Sequence, residues 1–179
     1  MYEAYSPGSV AMLIECLTDN RNRAVSDVRV AVTRNGATMA DGGSVQRLFE
    51  RKGVVTVSKT FEVTEGRKTT THEVDEDQLM EATLEAEPED IVDLGEAFEI
   101  ICDPNAIVDV RKAIQAADID YDSAEVEFRA GFAQPVELED ARKIAKITEL
   151  LEDLDDVQNV YTNADITPEL AAALEEDED

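Results

Sequence analysis

The run Val10–Leu17 (VAMLIECL) constrains the fold more than any other stretch, because it is apolar at both odd and even positions apart from Glu15. A strand that shows apolar side chains to both faces has to be covered, so this run predicts a central strand with other elements packed on it. The polar segment Thr18–Arg23 (TDNRNR) follows at once, with Thr18 or Asp19 placed to cap a helix. Val25, Val28, Ala31 and Val32 recur at helical spacing, and Asn35-Gly36 supplies a stop. Ser44–Glu50 and Val54–Lys59 read as two strands joined tightly through Arg51-Lys52-Gly53.

Val63–His72 is polar, with Gly66 and several threonines, and reads as a connector or mobile loop. Asp75 with Gln78 three residues on is a capping box, opening a helix to about Glu85. Asp90–Leu94 and Ala97–Cys102 read as strands turning at Gly95-Glu96. Asp103-Pro104 starts a helix whose stripe is Ile107, Val110, Ile114 and Ala117. Ser123–Arg129 alternates like a strand. A long helix from about Glu137 to Asp153 precedes a last strand at Val157–Tyr161, a short helix from Thr167-Pro168 and an acidic, frayed tail, Glu175–Asp179.

This order predicts an α+β chain of two small α/β-sandwich domains. The first is ferredoxin-like (β-α-β-β-α-β) and discontinuous, residues 1–60 plus 132–179. The second (α-β-β-α-β), residues 61–131, is inserted into it. Aromatic residues make up only 5% of the 179 residues and Trp is absent, so both cores must be aliphatic.

Charge is segregated. Ten of the sixteen basic residues lie in the first seventy positions, against eight of the forty-two acidic ones. That stretch carries +2 and the remainder −28 of the total −26. An acidic surface keeps a protein soluble and repels phosphate, whereas the early basic cluster attracts it. Arg21 and Arg23 sit where a strand gives way to a helix, where helix amides and guanidinium groups together can hold phosphate. Asn20 and Asn22 lie between and beside them, Arg29 and Arg34 continue along the helix, and Arg47, Arg51 and Lys52 belong to the adjoining hairpin. These nine residues form the candidate nucleic-acid or ribosome contact.

Catalytic chemistry finds no support, so no enzyme activity is expected. His72 is the only histidine and lies in a Thr-rich stretch without a nucleophile partner. Cys16 and Cys102 sit in apolar runs as buried thiols and make neither a disulfide framework nor a zinc site. Asp118-Ile-Asp120-Tyr-Asp122 starts like a calcium loop, but positions 6 and 12 are Ser123 and Arg129 instead of Gly and Glu. Asp153, Asp155 and Asp156 read as the solvated exit of a helix, so no metal is expected. No phosphate-binding glycine loop is present and no cofactor is implied. With neither an apolar h-region nor a run near the ~20 residues needed to span a bilayer, a monomeric, cytoplasmic protein with no membrane partner is expected.

Several stretches resemble the YebC/PmpR family. They are Tyr2-Glu-Ala-Tyr5, Pro7-Gly8, Val10–Arg23, Val28-Arg29, Thr33–Gly36 (TRNG), Gly43-Ser44-Val45, Phe49–Val57 (FERKGVVTV) and Leu151–Ile166 (LEDLDDVQNVYTNADI). Ser6, Ser9 and Ala37 stand where the family usually has glycine. The resemblance implies two α/β domains, one inserted in the other. Family members normally carry a basic helical domain ahead of the Tyr-Glu-Gly-Tyr-like segment, and this chain starts at that segment. The family includes the mitochondrial translational activator of cytochrome oxidase. Its members have been described both as DNA-binding transcriptional regulators and as ribosome-associated translation factors. The implied function is a non-enzymatic gene-expression factor that contacts ribosome, RNA or DNA. The alternative is an acidic interaction module that docks a basic partner.

Overall fold

The computed structural model describes residues 1–176; the end of the expected acidic tail lies outside them. In chain order the elements are β1 (Tyr2–Ser6), β2 (Val10–Cys16), α1 (Arg21–Thr33), β3 (Thr38–Met39), β4 (Phe49–Ser58), β5 (Thr60–Glu65), β6 (Lys68–Glu73) and α2 (Glu76–Thr83). They continue as β7 (Asp90–Asp93), β8 (Ala97–Cys102), α3 (Ile107–Ala116), β9 (Ser123–Ala130), β10 (Gln134–Pro135), α4 (Leu138–Glu152), β11 (Val157–Thr162), β12 (Ala164–Asp165) and α5 (Pro168–Glu176). Helices with antiparallel sheets make the chain α+β. Two compact units form, residues 1–50 with the segment from Arg129 onward, and residues 51–128.

In the first unit the sheet order is β11-β2-β1-β3. The apolar run is a central strand, with Val10, Met12, Leu13 and Ile14 wholly buried. Its even positions meet one core: Met12 and Ile14 pack with Val28 and Val32 of α1 and with Ile147 and Leu151 of α4. Its odd positions face the other way. Leu13 stands opposite Glu3 of β1, and that face is covered by the loop following β3.

Glu3 holds this loop. One carboxylate oxygen accepts the backbone N–H groups of Val45 at 2.8 Å and Gln46 at 2.7 Å, and the other accepts that of Gly43 at 2.6 Å. Burial pushes the carboxyl up, but the three N–H bonds more than offset it and bring it below its ordinary value. Neither β1 nor this buried carboxylate was expected from the sequence.

The tight β1–β2 connection places Gly8 at φ 77° and Ser9 at φ 61°. Ser9 is one of the positions where the resemblance leads one to expect glycine. Its Cβ makes the left-handed conformation costly. Ser9→Gly is expected to stabilise the first unit by about 0.5–1 kcal/mol in chemical denaturation, glycine's looser unfolded chain absorbing part of the gain.

The connectivity differs from expectation around residue 50. Ser44–Glu50 and Val54–Lys59 are not two strands of a hairpin. Gln46–Leu48 is a 3-10 turn, and Phe49–Ser58 is one ten-residue strand. Gly53 does not turn the chain; it sits mid-strand because β8 approaches closely. A Cβ there would lie 2.7 Å from Cys102 Sγ and 3.1 Å from Ile107 Cβ. β4 pairs with β8 from Gly53↔Cys102 to Ser58↔Ala97, in a sheet of order β7-β8-β4-β9.

The split β-α-β-β-α-β order expected of the first unit is therefore found in the second, as β4-α2-β7-β8-α3-β9. The first unit instead opens with the β1–β2 hairpin. The boundary expected at 60/61 lies at 50/51, because Val55 and Val57 are buried in the second unit's core.

In that second unit Val55, Val57, Ile100, Val110 and Ile114 form the core with Leu79 of α2. The capping box is present, Asp75 accepting the Gln78 N–H at 2.8 Å and Gln78 accepting that of Asp75 at 2.9 Å. Val63–His72, expected as a loop, belongs to the β5–β6 hairpin, registered from Thr60↔Glu73 to Glu65↔Lys68. β-branched threonines favour the extended chain, and Gly66 takes φ 66° at the first position of the two-residue turn. Burial pushes both thiols up, with Cys102 buried and Cys16 half-buried.

Candidate nucleic-acid interface

The start of α1 is built by the polar segment after β2. Asn20, not Thr18 or Asp19, is the N-cap, its side-chain oxygen accepting the Arg23 N–H at 3.1 Å. Thr18 supports it: its hydroxyl oxygen accepts the Asn20 N–H at 2.9 Å, and the hydroxyl donates to the Asn20 carbonyl at 3.1 Å. Asn20→Ala is expected to cost about 1 kcal/mol, read as a lower unfolding midpoint for the first unit.

Arg23 is committed to the fold. Its Nε donates to one Asp156 oxygen at 3.0 Å and its Nη2 to the other at 2.8 Å, while Nη2 also reaches Asp19 at 3.2 Å. This fork ties the first turn of α1 to the turn between α4 and β11. The guanidinium holds the Asp156 carboxyl below its usual range. Of the aspartates at 153, 155 and 156, the last is thus neutralised by a side chain of the chain itself. Among the described residues no group of His, Cys, Asp or Glu is arranged to hold a metal.

The remaining candidate residues separate by position. At about 100° per residue, Arg21, Asn22 and Arg29 fall within an arc of about 100° on α1, whereas Arg34 lies about 140° from Arg29. All four are exposed; Arg21 continues the line of the buried Ala24, Val28 and Val32 past the stripe's N-terminal end, and Arg29 lies about 80° round from Arg21 and about 12 Å along the axis. Among the described residues Arg21, Arg29 and Arg34 form no ion pair. Arg21 also borders a recess of about 370 Å³ with Tyr2, Cys16 and Leu17.

Arg47 is on the 3-10 turn that follows the Glu3-bound loop, hence on the sheet face away from α1, and its Nε donates to the Ser44 carbonyl at 3.1 Å. Arg51 and Lys52 belong to the second unit, where Lys52 donates to Glu89 at 2.6 Å and Arg51 is exposed. The expected hairpin that was to gather Arg47, Arg51 and Lys52 is absent, because its two halves are one strand. The sequence-derived cluster thus reduces to one coherent arc, Arg21-Asn22-Arg29. The engagement of Arg23 by Asp156 had no sequence signal, since 133 residues separate them.

A family model described as "TACO1/YebC second and third domain" matches residues 1–164. This chain belongs to the TACO1/YebC family. A probable transcriptional regulatory protein of Cutibacterium acnes is 77% identical over 178 residues, covering 99% of this chain and 67% of that protein. A probable transcriptional regulatory protein of Mycobacterium tuberculosis is 54% identical over 177 residues, covering 99% of this chain and 66% of its own length. The chain thus spans about two thirds of the length of these TACO1/YebC relatives. The crystal structure of a conserved hypothetical protein from Aquifex aeolicus superposes with a TM-score of 0.76 at 32% identity, over 92% of this chain and 63% of that one. Among the described residues of this family member no helix is long and apolar enough to cross a membrane.

Proposed function

We propose that the chain is a non-enzymatic gene-expression factor that makes a compact contact with structured RNA on the ribosome through the Arg21-Asn22-Arg29 arc of α1. The observation that carries this is the exposure of both arginines without an ion pair among the described residues, in a chain of net charge −26 where acids outnumber bases. In such a chain an unpaired arginine pair on one helix face is a local phosphate site. Screening over about 8 Å at physiological salt lets it act despite the acidic remainder. The names of the relatives place them among regulators of gene expression. A short arc suits a local RNA surface better than a long duplex, because affinity for a duplex grows with the number of phosphates neutralised.

Co-sedimentation with ribosomes, set beside gel-shift titration of duplex DNA, tests the reading. Association with ribosomes and weak binding to DNA are expected at physiological salt. Nanomolar, sequence-specific duplex binding by this chain would overturn the preference for RNA.

A further inference from the structure

The second unit carries a groove that the α1 contact does not use. It runs between α2 with the turn after it and the outer strand β7, and encloses about 470 Å³. Its apolar lining comes from Met80, Leu84 and Ile91, and its rim from Glu76, Glu87 and Asp90. Met80 is 53% exposed and Leu84 73% exposed, on consecutive turns of one face. Two large aliphatic side chains held so far in water cost free energy that a partner's apolar groups would recover. None of the three rim carboxylates forms an ion pair among the described residues, in contrast to Glu89 beside them, which Lys52 neutralises.

β7 pairs with β8 on one side only and is the end strand of its sheet order. Its outer edge carries no strand among the described residues, and its Ile91 N–H there is held by the Asp90 carboxylate at 2.8 Å, a bond that an added strand's carbonyl would replace, freeing the carboxylate. An apolar lining beside an end strand, ringed by carboxylates that have no cation partner among the described residues, defines its ligand by complementarity. Nucleic acid and acidic surfaces are repelled, and a neutral apolar segment leaves the carboxylates unanswered.

We propose that this groove takes a short extended segment of a partner protein in which aliphatic side chains alternate with Lys or Arg. The aliphatic groups cover Met80 and Leu84 on the α2 side, the cations on the other face of the added strand meet Asp90 and Glu87, and the backbone adds to β7. This is independent of the RNA contact, which lies on α1.

The test is fluorescence anisotropy of the whole chain with a labelled octapeptide of alternating Lys and Leu, at physiological salt. Saturable binding is expected. Leu84→Ser and the pair Glu87→Lys with Asp90→Lys are each expected to weaken it about tenfold or more, a loss of about 1.4 kcal/mol. Because these side chains are exposed, circular dichroism should show the fold intact. Asp120→Lys with Glu125→Lys, exposed positions of the same unit and equal in charge change, is expected to shift binding less than about twofold, as screened charges outside the groove should. A peptide of alternating Ser and Leu is expected to bind more weakly than the basic one. The proposal is overturned if the basic peptide fails to bind, if Leu84→Ser leaves binding unchanged, if the control pair weakens it equally, or if the Ser-Leu peptide binds as tightly.

Discussion

Glu3→Ala should strongly destabilise the first unit. It removes the acceptor of three backbone N–H groups at 2.6–2.8 Å, beneath a loop whose Val45 is wholly buried. An unsatisfied buried donor costs about 1–3 kcal/mol, and the loop can recover part of this by opening to water. A loss of about 3 kcal/mol is expected, seen in urea denaturation and as a drop of about 6–12 °C in the thermal midpoint. Glu3→Gln, which keeps one acceptor oxygen but turns an amide donor toward another donor, should fall between Ala and the parent.

The same group sets a pH dependence. The folded Glu3 carboxyl titrates below its ordinary value. The native state therefore binds that proton less readily than the unfolded chain. The stabilisation is present in full above the unfolded carboxyl range, near pH 4.3, and disappears as pH falls through the lowered folded value. Stability measured from pH 7 downward should decline in that acid window, and the decline should be shallower in Glu3→Gln. An unchanged slope would show that the carboxylate is not what holds the loop.

The second large effect is on binding. Arg21→Glu with Arg29→Glu replaces by anions two exposed cations that form no ion pair among the described residues. If each arginine makes one charge-assisted bond to phosphate, worth about 1.5 kcal/mol or more, removing both weakens RNA binding at least about 100-fold. The slope of log affinity against log salt should become shallower by about 0.7–0.9 for each phosphate that is no longer neutralised. Folding should survive, since a glutamate at the first position of a helix is favoured by its dipole and position 29 is exposed. Arg23→Ala is the contrasting case. It frees Asp156 and loosens the start of α1, so it should lower the thermal midpoint while leaving the salt slope unchanged. Arg34→Glu, on the other flank, should weaken binding less than either member of the arc.

The periodic and capped elements were legible in the sequence. The run at Val10, the helix stripes at Val28 and Ile144, the capping box at Asp75 and the Asp103-Pro104 start all follow from local chemistry. Misreadings arose where a residue's role is set by a distant neighbour. Gly53 looks like a turn residue until Cys102 and Ile107 are seen to fill the space a Cβ there would need. That one position moved β4 from a hairpin of the first unit into the sheet of the second, and took Arg51 and Lys52 with it. Glu3 looks like a surface acid on a segment too short to declare itself a strand. Its role depends on a loop forty residues later. The candidate site fared the same way: the arginines were found from charge and position, but their partners could not be. Arg23 and Lys52 are satisfied by Asp156 and Glu89, residues that no spacing rule connects to them.

The most direct measurement is pelleting of this chain with ribosomes across a salt series, comparing the parent with Arg21→Glu, Arg29→Glu and with Arg23→Ala. The parent and Arg23→Ala should co-sediment with the same salt dependence, and the double reversal should remain in the supernatant at physiological salt. Equal co-sedimentation of the parent and the double reversal would contradict the assignment of the α1 arc as the contact.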